Sequence, residues 1–108
     1  MPRDAFTAIA DPTRRAIIVL IAGGAMTPNA LAEHFQMSRQ AVSKHVRLLA
    51  ECGLLKQELS GREIFYHLVP KKMKAVADWL TPFEALWQQR YNQLDQLFNQ
   101  PQPKTKKR

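Results

Sequence analysis

Apolar residues recur at helical spacing in the first half of the chain, gather into short β-rich runs after Gly53, and return to helical spacing from Pro70 onward. Pro2 to Ile9 reads as a short amphipathic helix carrying Phe6 and Ile9. Asp11-Pro12 is a helix start, an N-cap followed by proline at the first helical position, so a helix is expected from Pro12 to Ala22, stopping at Gly23-Gly24. Ile17, Ile18, Leu20 and Ile21 make it mostly buried. Thr27-Pro28 repeats the start signal for a short helix to about Phe35, with Leu31 and Phe35 on one face. Ser38 then caps a helix from Arg39 to about Cys52, which buries Val42, Val46 and Leu49 and ends at Gly53.

Leu54 to Leu59 and Glu63 to Val69 are rich in Ile, Phe, Tyr and Val and flank Ser60-Gly61-Arg62, which predicts a β-hairpin. Beyond it, Met73, Leu80, Trp87 and Leu94 stand seven apart, with Val76, Phe83 and Leu97 on the adjoining row, the stripe of a helix-packing seam. Thr81-Pro82-Phe83-Glu84 has capping-box spacing and predicts a kink or restart there. The short helix, the Gln36-Met37 turn and the helix from Ser38 have the order of a helix-turn-helix, and the hairpin after them makes it winged. The expected fold is mainly α with a small β-hairpin, a winged helix-turn-helix with an extended C-terminal dimerisation helix. Its domain spans residues 1–99, and 100–108 form a disordered basic tail.

With Val42, Val46 and Leu49 turned inward, the 3.6-residue period places Gln40, Lys44 and Arg47 outward, Ser43 at the margin and Arg39 at the exposed start. These residue types read DNA: arginine and lysine donate to guanine N7 and O6, glutamine pairs with adenine, and serine meets a base edge or phosphate. A polar face with two or three cations is also what a merely solvated helix carries. The hairpin and the order of helices favour DNA.

Charge adds less than it first suggests. Sixteen Lys and Arg against nine Asp and Glu give +7 and a pI near 10.0, which suits a polyanionic partner. Four of those cations, Lys104, Lys106, Lys107 and Arg108, lie in the tail, and +3 remains without them. The 108 residues, 45% apolar and 23% charged, suit one packed domain. No apolar run reaches the roughly 20 residues of a membrane span and no signal peptide is legible, so the expected compartment is the cytoplasm. A single cysteine, Cys52, supplies neither an internal disulfide nor a multi-cysteine zinc site. No nucleophile with a base, carboxylate pair or glycine-rich phosphate loop points to an enzyme.

Asp11-Pro12-Thr13-Arg14-Arg15, the run from Ser38 to Leu49 reading SRQAVSKHVRLL, Gly53-Leu54-Leu55, and Gly61-Arg62 followed by Tyr66-His67-Leu68 together resemble the ArsR-type winged helix-turn-helix repressors of bacteria. The resemblance covers roughly Phe6 to Leu80. It implies a homodimer built on the first and last helices, with Phe6, Ile9, Met73, Leu80, Phe83, Trp87 and Leu94 at the interface. It also implies that the helix from Ser38 enters the major groove of double-stranded DNA. Ser38, Arg39, Gln40, Ser43 and Lys44 then hold the base- and phosphate-contacting positions, Arg47 lies one turn further off, and Arg62 stands at the wing tip.

Many members of this family sense metals, yet the cysteine-containing box on the short helix is replaced by Ala30-Leu31-Ala32-Glu33-His34-Phe35. The last helix offers Asp78 and Glu84 without histidine, and His34, His45 and His67 fall on three different elements. The resemblance is therefore to the branch without metal sites, and no cofactor is implied. His45 is expected as a structural residue and Cys52 as inert packing. Three readings stay open: a metal-free repressor, a sensor of an unidentified small-molecule or protein effector with a pocket at the dimer seam lined by Trp79, Trp87 and Tyr91, and an interaction module that has lost DNA binding.

Overall fold

The computed structural model describes residues 3–99, and the basic tail lies outside them. Contacts divide the chain into two compact units, Met1–Val76 and Ala77–Arg108. The first unit opens with α1, Ala5–Ala8, whose N-cap Asp4 accepts the Thr7 N–H at 3.0 Å. The helix expected from Pro2 is thus shorter, because capping by Asp4 sets its start. A second helix, α2, spans Pro12–Ala22, as the start and stop signals predict. The Asp11 carboxylate accepts the Arg14 N–H at 3.0 Å. Ile17, Ile18 and Ile21 are buried, whereas Leu20 is only half-buried and Val19 is 71% exposed. The helix is one-faced rather than mostly buried.

Arg14 has a second task that no local pattern announces. Its Nε donates to the Ala8 carbonyl at 2.9 Å and its Nη2 to that of Thr7 at 3.0 Å, while Arg15 Nη1 donates to that of Ile9 at 2.7 Å. Two cations thereby satisfy carbonyls at the end of α1, where a helix leaves acceptors unpaired.

The third helix, α3, runs only Pro28–Ala32, capped by Thr27 Oγ1 on the Ala30 N–H. It was expected to reach Phe35. Beyond Ala32 the bonds tighten to three-residue spacing, His34 N–H to Leu31 O and Phe35 N–H to Ala32 O, which ends the α geometry and forms the turn. Ser38 Oγ accepts the Ala41 N–H at 3.1 Å and opens α4, Arg39–Glu51. Gly53 follows at φ +82°, a conformation that favours glycine, and turns the chain out of the helix.

The hairpin pairs β1, Leu55–Ser60, with β2, Glu63–Leu68, from Leu55 opposite Leu68 to Ser60 opposite Glu63. Gly61, at φ +64°, makes the tight turn. Met26, in the loop before α3, forms an antiparallel bridge with Tyr66, with N···O distances of 3.2 and 2.8 Å. This bridge ties the wing to the helix-turn-helix. Beneath it, Ile17, Leu31, Val42, Val46, Leu49 and Leu54 are at most 1% exposed and form the core.

A 3-10 turn, Pro70–Met73, leads into α5, Lys74–Asn99, which runs through Pro82 without restarting. The expected capping box does not form, because the Thr81 hydroxyl donates back to the Ala77 carbonyl at 3.0 Å. Residues around Pro82 are exposed, so water can take the bond that proline forgoes.

The caps make one pH dependence explicit. The Arg14 N–H bond, aided by the nearby His45 and Arg14 charges against a desolvation cost, holds the Asp11 carboxyl below its ordinary value. A depressed carboxylate contributes stability that is present above its unfolded pKa and lost as pH falls through the folded one. Asp11→Asn keeps an acceptor at the cap but cannot titrate. Its urea midpoint is therefore expected to fall less steeply than that of the wild type below about pH 4. Parallel acid limbs for the two proteins would contradict the assignment.

Candidate nucleic-acid interface

On α4 the buried row of Val42, Val46 and Leu49 leaves the other side of the helix open. Arg39, Ser43 and Arg47 run along the side nearest the hairpin, each four-residue step turning about 40° around the helix toward the outward face. There they line a groove of about 400 Å³ together with Gln57, Arg62, Ile64 and Tyr66 of the hairpin and Thr27, Pro28 and Asn29 at the start of α3. Three arginines thus line one concave surface, with Glu63 the only acidic residue among those lining it.

Gln40 and Lys44 are exposed and do not line that groove, although Gln40 lies within about 20° of Arg47 around the helix. Ser38 is exposed, and its oxygen is engaged as the N-cap while its hydroxyl proton remains a donor. Of the expected set, Arg39, Ser43, Arg47 and Arg62 line one groove, and Gln40 and Lys44 lie just outside it on the outward face beside Arg47. Arg47, ranked behind its neighbours from its position along the helix, joins the arginines directly. Thr27, Asn29, Gln57 and Tyr66 were not foreseen. Gln57 and Tyr66 are cross-strand partners and share a face of the hairpin, a signal available once the register is known.

The opposite face of the hairpin carries Glu58 and His67, with Oε1 and Nε2 2.7 Å apart. Half-buried His45 has Nδ1 3.9 Å from Asp11 Oδ2, beyond hydrogen-bonding distance but close enough to pair when protonated. Among the described residues no group of three or more His, Cys, Asp and Glu could hold a metal ion. Cys52 is 7% exposed, and burial pushes its thiol pKa up, which disfavours the reactive thiolate. No helix of the described residues is long and apolar enough to cross a membrane.

Of the residues expected at a dimer seam, Phe6, Phe83, Trp87 and Leu94 are 39 to 48% exposed, while Ile9, Met73 and Leu80 are half-buried. Trp79, Trp87 and Tyr91, the trio expected to line a pocket at the dimer seam, are all exposed. Trp79 sits 4.9 Å from the Phe83 ring, and the shallow depression beside Trp87 is lined by Leu86, Arg90, Gln93, Leu94 and Leu97.

A capped helix behind a tight turn, flanked by a hairpin with cations in the groove between them, defines a winged helix-turn-helix DNA-binding protein. Residues 9–58 match the model of a helix-turn-helix domain family. The transcriptional repressor SdpR of Bacillus subtilis is 36% identical over 78 residues, covering 72% of this chain and 87% of that protein. A solved ArsR-like transcriptional regulator from Rhodococcus sp. RHA1 superposes with a TM-score of 0.63 at 32% identity, covering 85% of this chain and 87% of that one. The cadmium metal-sensor CmtR of Mycobacterium tuberculosis is also similar, with a TM-score of 0.51 and 40% identity over 57% of this chain and 64% of that one. The chain belongs to the ArsR family and is a DNA-binding transcriptional regulator.

Proposed function

We propose that this regulator is a metal-free repressor that binds a pseudo-palindromic operator as a homodimer and excludes polymerase from the promoter in the cytoplasm. The observation that carries the reading is the convergence of Arg39, Arg47 and Arg62 on the groove between α4 and the hairpin, beside the exposed Gln40 and Lys44. Gln40 and Lys44 read base edges in the major groove. Arg39, Ser43 and Arg47 hold the flanking phosphates, with Ser38 at the helix start, and Arg62 reaches the backbone from the wing tip. Repression is supported by the likeness to SdpR, a repressor. Binding and release of DNA require no catalysis, so the protein acts by occupancy alone.

Two recognition helices related by a twofold meet successive major grooves about 34 Å apart, which dictates the inverted repeat. Selection of bound fragments from genomic DNA tests this: enriched sites are expected to share two half-sites one helical turn apart. Enrichment without any common repeat would defeat the reading. Replacing both Leu80 and Trp87 by glutamate is expected to give monomers or aggregates in sedimentation and to lose operator binding with them.

Metal independence has its own test. Unlike the cadmium sensor CmtR, this chain is expected to bind cadmium, zinc, nickel and arsenite only weakly, with no shift in operator affinity. A tight site of one ion per subunit by calorimetry, coupled to release of DNA, would overturn it.

A further inference from the structure

A hairpin needs aliphatic side chains where it lies on a core, not at its far end. The alternation of strand faces puts Leu55, Gln57 and Leu59 of β1 on one side with their register partners Leu68, Tyr66 and Ile64 of β2. Cover on that side runs out toward the turn: Leu55 is 3% exposed, Ile64 38% and Leu59 74%. Leu59 and Ile64 are cross-strand partners, next to the Ser60 and Glu63 pair that closes the hairpin. A large aliphatic pair therefore stands uncovered close to the exposed Arg62 of the turn.

Its surroundings say what covers it. Ile64 lines the same groove as Arg39, Arg47 and Arg62, so the pair continues the cationic surface instead of standing apart from it. The six residues on its side of the hairpin include no charged one, while the charged pair of Glu58 and His67 occupies the opposite side. A partner that fits must bring negative charge to the arginines and an apolar surface directly beside that charge. A DNA strand has this alternation built in, a phosphate and then a deoxyribose ring at every step.

We infer that Leu59 and Ile64 pack on the deoxyribose rings next to the phosphate that Arg62 takes, and give the wing an apolar share of DNA affinity. The inference rests on the interface proposed above and adds a contact with its own signature. Sugars carry no sequence information, so the contact acts on any duplex. Apolar burial releases no counterion, so it leaves the salt slope alone, unlike an arginine on a phosphate.

An aliphatic cross-strand pair also stiffens a hairpin by itself. The test therefore keeps strand-forming residues and removes apolar area, with Leu59→Thr/Ile64→Thr. In isotherms against salt this variant is expected to bind operator and scrambled duplex alike about tenfold more weakly, with an unchanged slope. Leu59→Thr alone, at a position too exposed to hold the fold, is expected to lose about threefold. The swap Leu59→Ile/Ile64→Leu restores the aliphatic area and is expected to rescue the loss. Hydroxyl radicals cleave DNA by attacking deoxyribose C–H bonds, so the wild type should protect a patch of sugars that the double threonine variant uncovers while the rest of the footprint persists. Wild-type affinity in both threonine variants, a slope that falls with the affinity, or an identical footprint would overturn the contact and leave the arginine groove standing. A loss confined to self-association of the free protein would overturn it too, and would assign the pair to a second copy. A wild type that binds neither duplex would remove the interface itself.

Discussion

Gln40→Ala and Lys44→Ala are each expected to lower affinity for the cognate operator by about 1 to 3 kcal/mol while barely changing affinity for scrambled duplex. Both side chains project from the exposed face of α4, clear of the groove that holds the arginines. A group that hydrogen-bonds a base edge contributes only where that base is present. Arg62→Ala, at the hairpin tip, should instead weaken binding to every duplex and lower the salt slope by about one unit, since one counterion is released per neutralised phosphate. Isotherms against salt on the two duplexes separate these behaviours. An unchanged ratio of cognate to scrambled affinity in both α4 variants would mean that α4 is not the reader.

Leu49→Ala is expected to destabilise the protein by about 2 to 5 kcal/mol in urea unfolding. Leu49 is fully buried and anchors α4 in the core beside Val42 and Val46. A small domain has only about 5 to 15 kcal/mol in total, so the loss is a large part of the margin. The helix proposed to read DNA is held by this row, so operator binding should fall at temperatures where the wild type still binds. A loss under about 1 kcal/mol would show that neighbours close the cavity and that α4 is less tightly seated than its burial indicates.

How much was legible in the chain depends on the range of the interaction. Helices α2 and α4 begin where Asp11 and Ser38 announce them, because an N-cap bond reaches only three residues along the chain. The hairpin follows from Ser60-Gly61-Arg62 for the same reason, since its turn closes locally. Two local signals misled. The box at Thr81 has capping spacing, but the Thr81 hydroxyl bonds backward in a helix that continues, so spacing alone did not decide between a cap and a helix interior. Thr27-Pro28 marked a start correctly, while the end of α3 came early because the turn into α4 tightens at Ala32.

The sequence by itself determined the order of elements, the inward row of α4 and the outward placing of Gln40 and Lys44, because each follows from the periodicity of one helix and its caps. Only the tertiary structure decided that Arg47 shares a groove with Arg62, that Met26 bridges Tyr66, and that Arg14 and Arg15 spend their charges on the carbonyls ending α1. Those pairings join residues six to forty positions apart. Their geometry depends on how helices and hairpin seat on the core of Ile17, Leu31, Val46 and Leu49, which no local propensity encodes.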